Sequence, residues 1–435
     1  MKKIIAIAVI ALMIITLTGC ESDGSINEPN NASEQSDANV EQQGNEGLDI
    51  ADDQSTENLL SAEKIVIITD MRIHGEDEYL SAEALVNRFG QEQVIHKTWP
   101  DAIPNVEPII SDILRDVSEN PEVGAVILSE SVHATWNNSS VADALWNLRD
   151  DIFVVFIPSV LSLSVEHATG IDLIIQTDMQ RLGELFVMQA ISMGADTIAH
   201  YSSPLHRAVP AFALRREAMI VASQREGIRF VDLECPSEIG AMTLDILERF
   251  FAYITQDLPR QVESLGVNTA FFGTECIFQP QFISQTIATG AIFVSACCPS
   301  PFHGYPEGIE IEYRILTDQY DEFENPIIRR LELSELLRAM DEAVYVAGMA
   351  GRISSPAIPD RMMWITIGFM YAVQWMEGNV SQEHGAIDIE VLERSAREFT
   401  AHLGVDAGVT LEVFIRDGET VPHHILGVID YHVFG

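Results

Sequence analysis

The chain has 435 residues and carries 25 Lys+Arg against 66 Asp+Glu, a formal net charge of −41 at pH 7. Phosphate recognition needs cationic side chains, so this balance argues against nucleic-acid binding and against direct attraction to anionic lipid head groups. Only Lys2, Lys3, Lys64 and Lys97 are lysines, which removes a P-loop or Schiff-base lysine from everything after residue 97.

The first element is a secretory signal. Met1-Lys2-Lys3 precedes an apolar core, Ile4–Leu17, and small residues then lead to Cys20. The core is shorter than the ~20 apolar residues a membrane span needs. Leu17-Thr18-Gly19-Cys20 resembles the lipobox of bacterial lipoproteins. That resemblance implies that Cys20 becomes the lipid-modified first residue of a mature protein at the extracytoplasmic face of the cell membrane. The alternative is an uncleaved anchor.

Glu21–Ala62 contains 11 acidic residues and no basic ones, with many Asn, Gln, Ser and Gly. Such a segment cannot bury enough apolar surface to offset its ordering entropy, and it reads as an acidic tether. As a coil it would span about 35–40 Å.

From Lys64 the pattern becomes short apolar runs alternating with amphipathic stretches. Strands are expected at Lys64–Asp70, Val94–Thr98, Ala125–Leu128, Ile152–Phe156 and Leu173–Gln176, with helices at Ser81–Phe89, Val106–Glu119 and Val141–Asn147. The alternation restarts near residue 178. Helices are expected at Met179–Ile191, Val209–Gln224, Met242–Gln256 and Pro280–Thr289, with strands at Thr197–Tyr201, Arg229–Leu233, Thr269–Phe272 and Ile292–Ser295. This alternation indicates α/β architecture with two parallel sheets. The last third is read as helices Pro326–Met349, Asp360–Glu377 and Asp388–His402, then strands Thr410–Ile415 and His424–Tyr431 joined through Asp417-Gly418.

Gln176-Thr-Asp-Met-Gln-Arg-Leu-Gly-Glu-Leu185, followed by Met193-Gly194-Ala195 and Thr197-Ile198-Ala199, resembles the segment that opens the second lobe of the type I periplasmic-binding-protein fold; Asp178 and Gly183 take the fixed positions of its D-x-x-x-x-G pattern. Arg215 stands where that family often has an arginine before a glycine-containing helix, although the glycine is missing here. The chain also looks like an uncharacterised family of bacterial lipoproteins within that fold. The resemblance implies two lobes, each a parallel sheet flanked by helices; the last third is longer than a closing strand pair requires, so extra C-terminal helices are expected. The expected organisation is a signal peptide (1–20), a linker (21–62), an N-terminal lobe (63–177), a C-terminal lobe (178–300) and a closing segment (301–435). The fold further implies solute capture for an ATP-binding-cassette importer, or ligand sensing.

In open α/β sheets ligands bind beyond the carboxyl ends of the strands. This rule selects loops, and the candidate ligand-binding residues in them are Asp70, Arg72, Glu130, Ser131, His133, Ser202, His206, Arg207, Thr274, Glu275, Phe302 and His303. Carboxylates and hydroxyls would meet polar groups of a solute, Arg207 would clamp an anionic group bidentately, and Phe302 would stack on a ring. Each also has an ordinary role open to it: helix capping for Asp70, a salt bridge for Arg207, plain turn chemistry for the rest. Besides Cys20 the cysteines are Cys235, Cys276, Cys297 and Cys298; with no C-x-x-C spacing a zinc or thioredoxin-like reading finds no support and no metal or cofactor is expected, and the thiols read as free and buried, with a disulfide the alternative that the compartment permits. The sequence lacks G-x-S-x-G, H-E-x-x-H, G-x-x-x-x-G-K-[ST] and G-x-G-x-x-G. The reading is therefore a lipid-anchored, non-enzymatic solute-binding protein. Its partners would be a small polar molecule and an ATP-binding-cassette permease, with the membrane reached through lipid alone. The alternatives are a sensor lipoprotein and a surface enzyme.

Overall fold

A computed structural model describes residues 63–72, 75–100, 107–130, 138–159, 170–236, 244–320 and 326–435. The signal, the tether, Cys20, Ser131 and His133 lie outside these residues. Among the described residues no helix is long and apolar enough to cross a membrane.

The first lobe begins with β1 (Lys64–Thr69), α1 (Glu76–Phe89), β2 (Val94–Thr98), α2 (Glu107–Glu119), β3 (Val123–Ser129), α3 (Asn138–Leu148), β4 (Phe153–Ile157) and β5 (Leu173–Thr177). Every residue of β3, β4 and β5 is buried, as expected for parallel strands covered on both faces. The second lobe follows as α4 (Met179–Ser192), β6 (Thr197–Ser202), α5 (Pro204–Arg207), α6 (Pro210–Glu226), β7 (Arg229–Glu234), α7 (Leu244–Leu265), β8 (Thr269–Gly273), α8 (Gln279–Thr289) and β9 (Ile292–Phe293). Its four parallel strands lie in the order β7-β6-β8-β9.

After α9 (Tyr305–Ile309) come a hairpin of β10 (Arg314–Tyr320) and β11 (Pro326–Arg330), then α10 (Leu333–Val346), β12 (Ser354–Pro356), α11 (Asp360–Met376), α12 (Ile389–Leu403), β13 (Val409–Arg416), β14 (Glu419–Ile429) and β15 (Tyr431–Val433). β14 adds parallel to β5, and β13 closes the edge antiparallel, giving a seven-stranded sheet β13-β14-β5-β4-β3-β1-β2. β15 returns to the second lobe and pairs with β12. The chain thus passes between lobes three times, at Thr177–Asp178, Ala357–Pro359 and Asp430. Backbone hydrogen bonds hold these crossings side by side: Asp178 N–H donates to the Gly427 carbonyl at 2.9 Å and Ala357 N–H to the Asp430 carbonyl at 3.0 Å. Three adjacent connecting segments are suited to hinge motion.

Local chemistry explains these elements. Asp178 caps α4 by accepting from the Arg181 backbone N–H at 2.9 Å. Gly183 lets α4 meet α6 closely: a Cβ there would stand 2.5 Å from the Arg215 carbonyl oxygen. α11 is buried almost all round because it lies under the first sheet and against α1 and α12.

The sequence reading needs correction in the last third. Pro326–Arg330 is a strand, not the start of a helix, and α10 begins at Leu333. Its true start is a capping box in which Glu332 and Glu335 satisfy each other's backbone N–H groups. The expected strand His424–Tyr431 is split at Asp430 between the two lobes. The Asp417-Gly418 turn is present, with positive φ at both residues (52° and 85°), the geometry of a tight hairpin.

Candidate functional site

The carboxyl ends of β1, β3, β4 and β5 converge on the first residues of α11. Arg361 is enclosed by them, its side chain 12% exposed. Its Nε donates to Glu78 Oε2 at 2.7 Å, Nη1 to the Pro158 carbonyl at 2.6 Å, and Nη2 to Ser129 Oγ at 2.5 Å and the Glu130 carbonyl at 3.0 Å. One guanidinium therefore gathers the ends of two strands and the carboxylate of α1. Burial pushes Glu78 above the ordinary carboxylate range, opposed by Arg361. Its Oε1 atom is buried with no hydrogen-bond partner. Next to Arg361, Asp360 accepts from Thr177 Oγ1 at 2.6 Å, and the Trp364 indole N–H donates to the same hydroxyl at 3.0 Å. Burial pushes the Asp360 carboxyl up to about 7.

The facing ends of β8 and β9 carry sulfur. Cys276 Sγ lies 3.2 Å from Cys297 Sγ and 3.6 Å from Cys298 Sγ, and the latter two are 3.7 Å apart. His303 Nε2 is 3.3 Å from Cys297 Sγ. The donor atoms of all four residues lie within 4.8 Å of one another. All four cysteines in the described residues are free thiols. Thiol hydrogen bonds from Cys297 and Cys298 hold Cys276 well below the usual thiol range, while burial drives Cys297 well above it. Arg215 is buried beside the cluster; Nη1 donates to the Cys297 carbonyl at 2.7 Å and Nη2 has no partner.

Contacts between the lobes bring these two centres together. The Ser300 hydroxyl donates to Asp77 Oδ2 at 2.7 Å, and Asp360 N–H donates to the Pro299 carbonyl at 3.0 Å. Arg330 Nη1 donates to Asp77 Oδ1 at 2.5 Å while its guanidinium carbon sits 3.6 Å above the Phe302 ring.

The residues singled out from sequence divide between these surroundings. Asp70 is buried at the end of β1, with Glu78 and Arg361 within its electrostatic reach. Arg72 pairs with Glu76 at 3.2 Å. Glu130 accepts the Ser159 backbone N–H at 2.7 Å. In the second lobe His206 Nδ1 lies 3.3 Å from both Thr274 Oγ1 and Glu275 Oε1, so three candidates form one cluster. Ser202 is buried and its Oγ has no partner. Arg207 pairs with Glu234 at 2.8 Å, yet its Nε is buried without a partner. Phe302 is buried under Arg330 rather than presented as an open platform, and His303 belongs with the thiols.

Trp99 is a core residue whose indole N–H donates to the Ser129 carbonyl at 2.7 Å. His424 is buried against Gln176 at 2.9 Å. Sequence reasoning missed Arg361, Asp360, Glu78 and Asp77. It reads Cys276, Cys297 and Cys298 as separate thiols and does not join them. The signal for that junction was available: Cys276 and Cys297 each follow the carboxyl end of a neighbouring parallel strand by a few residues.

A family model described as Protein of unknown function (DUF3798) matches residues 64–354. A protein of Treponema pallidum (strain Nichols), described as uncharacterized, is 23% identical over 204 residues, covering 47% of this chain and 89% of its own length. Among solved structures, a candidate transcriptional regulator from Clostridium difficile 630 superposes with a TM-score of 0.69 at 15% identity, covering 86% of this chain and 99% of that one. A periplasmic ribose ABC transporter structure from Conexibacter woesei DSM 14684 matches with a TM-score of 0.45 at 14% identity, covering 75% and 90%. Identities this low speak to fold alone. Two facing lobes with parallel sheets, joined by three crossings, make this a type I periplasmic-binding-protein-like fold. The chain belongs to the family described as Protein of unknown function (DUF3798).

Proposed function

We propose that this protein is a lipid-anchored, extracytoplasmic solute-binding protein that captures a small polar molecule between its lobes and presents it to an ATP-binding-cassette permease. The observation that carries this reading is the convergence of the carboxyl ends of both sheets across a three-segment hinge. Buried hydrogen-bonding atoms left unused there, Glu78 Oε1 and Ser202 Oγ, are groups a polar solute would satisfy. Asp70, Glu130, Ser202, His206, Arg207, Thr274 and Glu275 are the residues proposed to contact it, with Arg361 organising the first-lobe wall. The chemistry is binding rather than bond-making. The fold also suits a sensor, but the net charge of −41 gives no support to a DNA-bound regulator.

The test is direct. Protein purified from its native host is denatured, and released small molecules are identified by mass spectrometry. Each is then returned to ligand-free protein in a thermal-shift titration. A captured solute raises the melting temperature with concentration and is recovered unchanged. Steady conversion of the added compound to a product would establish an enzyme instead.

A further inference from the structure

We propose that Cys276, Cys297, Cys298 and His303 form a tetrahedral site for one thiophilic divalent cation, with Zn²⁺ the first expectation. The inference does not depend on any solute and goes beyond the capture role. Three thiolates and an imidazole are a donor set that prefers Zn²⁺ or a similar borderline-soft ion to Mg²⁺ or Ca²⁺, which take oxygen ligands.

The geometry matches. With metal–sulfur bonds of about 2.3 Å and a metal–nitrogen bond of about 2.0–2.1 Å, tetrahedral edges are about 3.8 Å between sulfurs and about 3.6 Å between sulfur and nitrogen. The sulfur–sulfur edges here are 3.2, 3.6 and 3.7 Å, and the Cys297–His303 edge is 3.3 Å. The four donor atoms lie within 4.8 Å of one another, so seating a cation needs outward relaxation of the sulfurs by about half an ångström and an inward movement of His303 toward Cys276 and Cys298. The carrying loop is already folded: Ser300 N–H donates to the Cys298 carbonyl at 2.8 Å and His303 N–H to the Ser300 carbonyl at 3.1 Å.

Charge supplies an independent argument. A divalent cation with three thiolates and a neutral imidazole carries a net charge of about −1. Arg215 is buried beside it, bonds the Cys297 carbonyl, and has no carboxylate in salt-bridge contact among the described residues. A buried guanidinium without a counter-ion is costly, and the metal–thiolate centre supplies that counter-ion. Arg215 in turn fixes the backbone that presents Cys297, as outer-shell partners of metal ligands do. Four protein donors leave no open coordination position, so the ion would tie the ends of β8 and β9 together rather than activate water. A disulfide among three mutually close sulfurs would leave one thiol and the histidine over; a single cation uses all four donors.

The experiment uses the full chain, prepared reduced and metal-free. Titration with Co²⁺ should give intense visible d–d bands of a tetrahedral site, with sulfur-to-cobalt charge transfer in the near ultraviolet, saturating at one equivalent. Zn²⁺ should then bleach the spectrum stoichiometrically. Cys276→Ser, whose side chain is exposed, should lower Zn²⁺ affinity on the order of 100-fold or more, and Arg215→Met should lower it by about 10–100-fold with all four donors retained. A weak octahedral cobalt spectrum in the unaltered protein would overturn the proposal. So would Zn²⁺ affinity equal in the unaltered protein and a Cys276→Ser, Cys298→Ser double variant. Protein isolated with a Cys276–Cys297 disulfide and no bound metal would also overturn it.

Discussion

The Ser300 hydroxyl donates to the Asp77 carboxylate at 2.7 Å, joining the loop after β9 in one lobe to the first turn of α1 in the other. A hydrogen bond to a charged group is worth about 1.5–3 kcal/mol when well formed, and this one exists only while the lobes are together. Ser300→Ala should therefore shift the protein toward an open arrangement. Small-angle scattering at a fixed, subsaturating solute concentration should show a larger radius of gyration than the unaltered protein, and solute affinity should fall on the order of tenfold. Identical scattering and affinity would show that the contact does not hold the lobes.

Arg361 is the organising cation of the first-lobe wall. Removing it leaves Glu78 buried without its partner, a loss of about 3–5 kcal/mol. Arg361→Met should lower unfolding stability by that amount, measured by urea denaturation. Adding Glu78→Gln should recover much of it, because the uncompensated charge is then gone. If the double variant is no more stable than Arg361→Met, the pairing with Glu78 is not what the arginine contributes.

His424 sets a pH dependence. It is buried, and desolvation lowers its pKa to about 4 from the ordinary 6.5. Its neutral form is favoured in the folded state, so its contribution is fully present above pH 6.5 and is lost as pH falls from 6.5 toward 4. A shift of this size corresponds to about 3 kcal/mol. His424→Gln keeps a donor toward Gln176 and should flatten the loss of melting temperature across that window. An unchanged acid slope would assign the loss to other groups.

Arg207 separates binding from folding. Its pairing with Glu234 is a surface interaction, worth about 0–1 kcal/mol, while its Nε is buried and unused. Arg207→Ala should leave the solute-free melting point nearly unchanged and weaken solute binding at least tenfold, read by calorimetric titration. Unaltered affinity would remove Arg207 from the site.

The parallel strands were legible because burial on both faces leaves continuous runs such as Ile65–Ile68 and Val126–Leu128, and the helices between them carry ordinary periodicity. The D-x-x-x-x-G segment was legible too, since Asp178 caps a helix and Gly183 allows close packing. What was not legible depends on contacts distant in sequence. Arg361 meets Glu78 across 283 positions, and nothing in Pro359-Asp360-Arg361 announces that meeting. Pro326–Arg330 reads as helix in the sequence because the apolar spacing that follows is helical. The start at Glu332–Glu335 uses glutamate in place of the usual serine or threonine cap. The thiol cluster needed strand adjacency: Cys276 and Cys297 are neighbours only because β8 pairs with β9.

The central claim is reversible capture of a small molecule between the lobes. Its most direct measurement is scattering of the full chain with and without the molecule that co-purifies with it. The expected result is a compact form at saturating solute, an open form after its removal, and recovery of the compound chemically unchanged. A protein that retains no small molecule, or whose dimensions stay the same while the compound is consumed, would contradict it.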